Sequence, residues 1–441
     1  MLTYCLIFVA STFATLAQNP PVVPTQTFTP TPIRVVLDDL PPPYATSSSS
    51  KPAIVVAVPS NATLLVPDVN FRVTIYRSGL RTPRQMIYTP SGDILVVENG
   101  GGLISILTDT TTSVFADASN GIAQAFGMAF VPGWFYVANA GALRRFQYQT
   151  GDRRIMGTGQ VLLTYPSTGH WTRSLIVSPN GNQLYVSVGS GSNVNIEYPS
   201  RASVQIANLD GTGNATFASG LRNPVFMDIH PKSGELYVAV QERDALGDDL
   251  VPDYFTRIQK DEFYGWPFAY LTPKNVDPRR RFANGSSERP DLVQQTPYLT
   301  PKNVDPRRRF ANGSSERPDL VQQTRTPDVL FQAHSAVLGI QFYRGTQFPS
   351  HYQNGAFAAF HGSWNRNSGT GFKLVFIPFN DSNRPQGYYE EFLKGFLLDP
   401  QGPRTYGRPV GILEMKDGSL LCSEDGNGRI YRIEYVKSSA N

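Results

Sequence analysis

What this chain has little of excludes several kinds of protein. Only two of its 441 residues are cysteine, Cys5 and Cys422, so neither a disulfide-stapled scaffold nor a cysteine-built zinc site is available. The five histidines show no zinc-like spacing. Charged residues make up 17% of the chain and the net charge is +4. The basic residues are dispersed and the RRR runs sit among prolines, so no nucleic-acid partner is implied. After the N-terminus no segment approaches the roughly 20 apolar residues of a membrane span. Long helical periodicity is missing. There is no convincing G-x-S-x-G elbow, and GSGSN at 189–193 follows a strand-like run without opening a helical pattern, which argues against a serine hydrolase and a dinucleotide site.

Glycine (38), proline (35) and aromatics (12%) are plentiful, the balance of a turn-rich β protein. A pattern recurs six times: a turn with Gly and usually Pro, a strand rich in Val, Ile, Leu and Tyr, then a polar Gly/Asn/Asp/Glu bend. The instances are IYTPSGDILVVENG, AFVPGWFYVANAG, IVSPNGNQLYVSVGSG, IHPKSGELYVAVQERD, the looser FPSHYQNGAFAAFHGS, and LEMKDGSLLCSEDG. Most are spaced by about 40 to 50 residues, the length of one propeller blade. The expected fold is all-β, a six-bladed β-propeller over 61–437.

The N-terminus, MLTYCLIFVASTFATLAQ, has an apolar stretch, small residues and a TLA end at Ala17, and reads as a signal peptide over 1–17. Secretion is therefore expected. Cys5 would leave with the signal, and the sequons at Asn61, Asn214, Asn284, Asn312 and Asn380 suit an extracellular glycoprotein. Residues 18–60, rich in Pro, Ser and Thr, read as an extended lead-in. Between the fourth and fifth units lies a tandem duplication: YLTPKNVDPRRRFANGSSERPDLVQQT runs from Tyr270 to Thr296 and returns, letter for letter, from Tyr298 to Thr324. Undrifted letters and scattered prolines mark it as a doubled surface loop at 270–324 rather than a core-forming repeat.

Propellers place ligands at one end of the channel, on loops leaving the innermost strands. There, basic residues recur: Arg84, His170, Arg173, Arg222 and Arg408. Converging guanidinium groups suit a ligand with several carboxylates or phosphates. His170, His334 and His361 adjoin inner strands and can face the channel, as bases or donors; His230 and His351 lie in turns. The run QERDALGDDLVPDY gathers Glu242, Asp244, Asp248, Asp249 and Asp253 around Gly247. It reads either as a Ca²⁺ loop or as an acidic turn pairing with Arg222 or Arg243.

The motifs GHWTRSLIVSPNGNQLYVSVGSGSN, GLRNPVFMDIHPKSGELYVAVQERDALGDDLVPDY, YGWPFAY, PDVLFQAHSAVLGIQFY and GRPVGILEMKDGSLLCSEDGNGRIYRI resemble the sorbosone dehydrogenase group of quinoproteins. The likeness is closest to fungal pyranose dehydrogenases that use pyrroloquinoline quinone (PQQ), relatives of the bacterial soluble glucose dehydrogenase. It covers about 66–435. The resemblance implies PQQ and Ca²⁺ over a propeller channel, with His170 as general base, Arg222 and Asn223 at the quinone, His361 and Arg408 at its carboxylates, and Arg84 as a further contact. Asp244, Ala245, Asp248 and Asp249 would supply the metal loop, with backbone carbonyls around Asp244 and Ala245 foremost. It further implies oxidation of pyranoses or 2-keto-aldoses at the anomeric carbon, and electron transfer to an external acceptor such as a secreted cytochrome or a quinone. The rival readings are a Ca²⁺-dependent propeller lactonase and a non-catalytic glycan-binding propeller.

Overall fold

The structure is a computed structural model that describes residues 20–280 and 315–437. Residues 1–17, read above as a signal peptide and including Cys5, lie outside the described residues, as do Asn284, Asn312 and most of the doubled segment. The described chain is almost entirely β, and six of its sheets carry four or five strands. Each of the six sequence units forms the first hairpin of one such sheet. In the first unit, Pro83–Tyr88 turns at Ser91 and Gly92 and returns as Ile94–Glu98. The fourth pairs Asn223–Ile229 with Leu236–Gln241. The apolar run is the second strand, buried along its length in sheets one and five. Continuous apolar text, rather than alternation, is what a strand covered on both faces requires.

The opening strands of the six sheets touch one another in cyclic order: Pro83–Tyr88, Ala125–Val131, Leu175–Val177, Asn223–Ile229, Val337–Phe342, Pro409–Glu414, and back to Pro83–Tyr88. That ring brings the loops entering the first strands and leaving the second strands to one end of the molecule. Close approach of neighbouring inner strands needs residues without side chains. A Cβ on Gly339 would lie 2.1 Å from the carbonyl oxygen of Val410, and one on Gly411 2.3 Å from that of Arg84, distances that no side chain tolerates.

The ring closes without a covalent link. The last sheet runs Pro409–Glu414, Leu420–Glu424, Arg429–Tyr435 and then Phe71–Arg77, so its outer strand comes from the start of the domain and pairs with its last strand. Phe71 pins this strand. It meets Phe348 at 5.0 Å and Phe392 at 5.1 Å, edge to face, inside an aromatic cluster with Tyr352 and Phe357.

The lead-in is extended, as its composition implies, and it is also docked. Thr25–Thr27 pairs in parallel with Leu64–Val66, and Ile54–Val55 with Arg404–Thr405. Backbone and hydroxyl groups hold it together with scattered apolar residues, such as Val23, Ile33, Val35, Leu37 and Val56, that pack against the core. Tyr44 N–H donates to the Leu246 carbonyl at 2.7 Å, while Ser48 Oγ and Thr46 Oγ1 accept from the amides of Gly247 and Asp248. Apolar periodicity carries no signal for such a strap.

The doubled segment is built into the body at both ends. Thr272–Val276 pairs with Ala269–Tyr270, and a short helix, Pro318–Gln322, packs beside it. Glu316 N–H donates to the Arg280 carbonyl at 3.2 Å. The docked parts are thus the beginning of the first copy and the end of the second, which together spell one repeat lacking only its RFANGS tip.

Two outcomes follow. Deleting residues 284–311, one full period, leaves the docked parts intact and shortens the connection roughly sixfold, which lowers the closure cost by about 1.5 kcal/mol. Thermal unfolding of the deletion variant should give the parent Tm or a slightly higher one; a lower Tm would show that the second period carries fold-stabilising contacts. Phe71→Ala should cost about 3–5 kcal/mol, read as a drop in the denaturant midpoint, whereas a loss below 1 kcal/mol would remove the closing strand from its assigned role.

Candidate functional site

His170 enters the site on the loop before the third sheet, and its ring orientation is fixed. Nδ1 lies 2.8 Å from the Ser190 carbonyl and 3.0 Å from Ser190 Oγ. A carbonyl only accepts, so Nδ1 carries the proton and Nε2 keeps its lone pair. Burial, reinforced by the Arg222 guanidinium, lowers the imidazole pKa to about 4, so His170 is neutral across the physiological range. A glycine makes room for it: a Cβ on Gly189 would lie 2.4 Å from Asn223 Oδ1 and 2.6 Å from His170 Cβ. Arg173, grouped with the site by its sequence position, is instead scaffolding. Fully buried, it donates to the carbonyls of His170, Thr172 and Pro166 and holds the loop in shape.

Arg222 and Asn223 begin the fourth sheet's inner strand. Arg222 donates to the Glu242 carbonyl at 2.6 Å and to Asn193 Oδ1 at 3.0 Å, and pairs with Asp244 at 2.8 Å. Among the described residues its Nε and Asn223 Oδ1 are buried with no partner. Across the ring, Asp425 bridges two predicted residues: Oδ2 pairs with Arg84 at 2.6 Å and Oδ1 with His361 Nε2 at 2.8 Å. Burial pushes the Asp425 carboxyl up, but His361, Arg84 and Arg408 together hold it well below the usual carboxylate range. Burial takes His361 down to about 4. Arg408 is half-buried, and among the described residues its guanidinium makes only long bonds, 3.3 Å to the His361 carbonyl and 3.5 Å to that of Gly362; desolvation lowers its pKa. Arg84 Nε is a third partnerless buried donor or acceptor, and the Arg84 guanidinium sits 5.3 Å from the ring of Trp171, next to His170. The contact ties the two halves of the site together.

The acidic run behaves largely as the second of its two readings. Asp244 pairs with Arg222 and lies 3.5 Å from His334 Nδ1. Burial pushes its carboxyl up, but Arg222 and His334 bring it below its ordinary range. Asp253 is buried, and that burial raises it to about 7. Asp248 Oδ1 accepts from the Asn367 amide at 3.0 Å, and Asp249 pairs with Arg366 at 2.7 Å on the surface. The structure therefore does not bring Asp248 and Asp249 together with Asp244. Among the described residues no group of three or more His, Cys, Asp or Glu side chains is arranged to hold a metal. The Asp244 carbonyl already takes two donors, Asn193 Nδ2 at 3.0 Å and Arg279 NH1 at 2.8 Å. Ala245, held at φ +68° with its amide on Asn365 Oδ1, leaves its carbonyl without a hydrogen bond among the described residues. As a carboxylate cage for Ca²⁺, this loop does not fit.

Several site residues carry no basic or histidine signal. Asn193 stands at the end of GSGSN, where it accepts from Arg222 and from the Asp244 amide. Asp425 follows Glu424 in SEDG. A usable signal existed: Glu98 and Glu424 end second strands and Glu242 directly follows one, and the carboxylates of Glu98 and Glu424 accept the backbone amides of Arg81 and Arg408, so the letters around these glutamates lie at the site's end of the ring. An open cavity of about 650 Å³, lined in part by Tyr76, Tyr88, Asp93, Arg153, Lys416 and Asp417, lies at the opposite ends of sheets one and six. None of the candidate site residues lines it.

Comparison with known proteins bears on the family and the fold. A model of the TrAA12-like family matches residues 66–262 and 293–436, skipping a stretch about as long as one copy of the duplication. An uncharacterized protein of Borreliella burgdorferi is 34% identical over 270 residues, 61% of each chain, so the present chain spans about three fifths of that relative's length. The calcium structure of Trichoderma reesei carbohydrate-active enzyme family AA12 superposes with a TM-score of 0.65 at 18% identity, over 87% of this chain and 98% of that one. The holo PQQ domain of Coprinopsis cinerea pyranose dehydrogenase gives 0.64 at 19% identity, over 86% and 100%. The apo soluble aldose sugar dehydrogenase of Escherichia coli gives 0.55 at 14%, over 83% and 99%. The motif resemblance and the family match point the same way: the chain belongs to the TrAA12-like family.

Proposed function

We propose that this protein is a secreted PQQ-dependent dehydrogenase, built as a six-bladed propeller over 61–437, that oxidises the anomeric carbon of pyranoses or 2-keto-aldoses and passes electrons to an external cytochrome or quinone. The observation that carries the reading is the convergence of Arg84, Arg222, Asn223, His361 and Arg408 around a neutral histidine, with Arg84 Nε, Arg222 Nε and Asn223 Oδ1 buried and unpartnered among the described residues. Other unpartnered buried atoms, such as Tyr254 Oη and Arg173 Nε, lie elsewhere in the core, but these three belong to basic and polar residues gathered at the ring mouth, where a polar ligand would complete them. Arg84, Arg222 and Arg408 would hold carboxylates, with Asn223 and His361 beside them, and this set fits a tricarboxylated quinone. When bound, PQQ supplies a two-electron acceptor.

The chain's own contribution is proton handling and orientation. Ser190 holds the Nδ1–H of His170, so Nε2 receives the proton of the anomeric hydroxyl as the C–H bond breaks. A base in this role is worth about 10² to 10⁴ in rate. Trp171 and Arg84 wall the site beside it. Calcium, the other expected cofactor, is carried over only from the calcium structure of the AA12 relative, because the described residues assemble no carboxylate cage for it. The lactonase alternative needs a protein-built metal cage, and the dispersal of Asp248 and Asp249 disfavours it. Secretion draws support from the exposed sequons at Asn61, Asn214 and Asn380.

The reading predicts that adding PQQ to the purified full chain produces a quinone absorption band that an aldopyranose bleaches. No band, or a band that no sugar alters, would contradict it. His170→Ala should keep the band and lose at least a hundredfold in kcat. Because the base must be unprotonated, and its folded pKa lies below the ordinary 6.5, kcat/KM should hold steady down through pH 5 and fall only near pH 4. An acid limb centred near 6.5 would move the role to another group.

A further inference from the structure

The lead-in and the acidic run meet at one buried side chain. Asn365, 5% exposed, follows His361 on the loop leaving the fifth sheet's second strand. Its Oδ1 accepts from the Ala245 amide at 2.9 Å, and its Nδ2 donates to the Ser49 carbonyl at 2.6 Å. A backbone N–H only donates and a carbonyl only accepts, so the orientation of this side chain is fixed from both sides. The turn it grips is one that a β-carbon disfavours, because Ala245 sits at φ +68°, in the left-handed region. On one side of Ala245, Asp244 pairs with Arg222 at 2.8 Å and lies 3.5 Å from His334 Nδ1. On the other side the lead-in takes the Leu246 carbonyl and the amides of Gly247 and Asp248, through Tyr44, Ser48 and Thr46. One strained residue therefore separates the carboxylate that aligns Arg222 from a docked strap.

We propose that Asn365 is a positioning residue for the cofactor: it ties the docked lead-in to the left-handed turn at Ala245 and so keeps Asp244 aligned on Arg222. The inference rests on the reading of Arg222 as a PQQ contact. Without the Asn365 carbonyl oxygen the Ala245 amide loses its partner, and the turn relaxes toward a conformation that alanine prefers. The Asp244 carboxylate moves with it, and Arg222 loses its one carboxylate partner among the described residues. A cofactor must then re-form the turn as it binds, so its apparent affinity falls with the fraction of molecules that hold the competent turn. The penalty of one left-handed alanine converts to about tenfold in that fraction. Glycine carries no such penalty. A glycine at 245 thus uncouples the turn from Asn365, whereas a residue that merely packs would matter equally in both backgrounds.

PQQ is titrated into the full chain and followed by its quinone absorption band, for the wild type, N365A, A245G, the double variant and T46V, with Tm measured for each without cofactor. N365A should weaken PQQ binding about tenfold. In the A245G background the same substitution should weaken it by less than about threefold. T46V changes an exposed residue of the lead-in and leaves the core untouched, so it reads the same link even where N365A does not fold. It removes the acceptor for the Asp248 amide and should weaken PQQ about threefold. Unchanged PQQ affinity in N365A, or an equal loss in both backgrounds, would overturn the positioning role while leaving the PQQ reading standing. Unchanged affinity in T46V would overturn the part given to the lead-in. No quinone band with the wild type would overturn the PQQ reading and this inference with it.

Discussion

The pairing of Phe71–Arg77 with Arg429–Tyr435 is the constraint on which the other features depend. It joins the start of the domain to its end, and the ring of inner strands closes because of it. Only in a closed ring do residues as far apart as Arg84 and Asp425, or His361 and Asp425, become hydrogen-bonding neighbours. Its strength comes from a backbone ladder backed by edge-to-face aromatic contacts at Phe71, each worth about 0.5–1.5 kcal/mol beyond burial. The lead-in adds to the seam: Val22 bridges to Thr74 and the Val23 amide donates to the Val73 carbonyl.

At the mouth of that ring the chain buries more charge than burial alone would permit. Arg243, Arg222, Arg84 and Arg408 are each placed against carboxylates or carbonyls, and the carboxylates answer in kind: Asp425 and Asp244 are held low by their cations, while Asp253 and Glu424 are raised to about 7 by burial. Breaking one member of such a network costs several kcal/mol because it strands its partner. Among the described residues Arg84, Arg222 and Asn223, which the ring gathers at its mouth, each keep a buried polar atom without a partner.

Much of this was legible in the letters, for identifiable reasons. The six hairpins were readable because turn residues and β-branched runs recur at blade spacing, and because a second strand buried on both faces is written as continuous apolar text. His170, Arg222, His361 and Arg408 were readable because polar letters flanking an inner strand have few places to go but the channel mouth. Arg173 shows the limit of that reasoning: the same letter in the same position bonds three carbonyls behind the loop. Asp248 and Asp249 show it too, since their partners Arg366 and Asn367 lie more than a hundred residues away, beyond any local pattern. The docked lead-in was illegible for a different reason, being held by backbone groups that every sequence carries and by apolar residues without regular spacing. Asp425 and Asn193 act through contacts with distant chain, and composition says nothing about such contacts.

A crystal structure of the full chain grown with PQQ tests the central claim most directly. The account predicts the cofactor at the ring mouth, its carboxylates against Arg84, Arg222 and Arg408, and the Nε2 of His170 facing the space beside it. Cofactor density elsewhere, such as in the cavity between Tyr76 and Lys416 at the opposite end, with Arg222 Nε and Asn223 Oδ1 still unpaired, would contradict it.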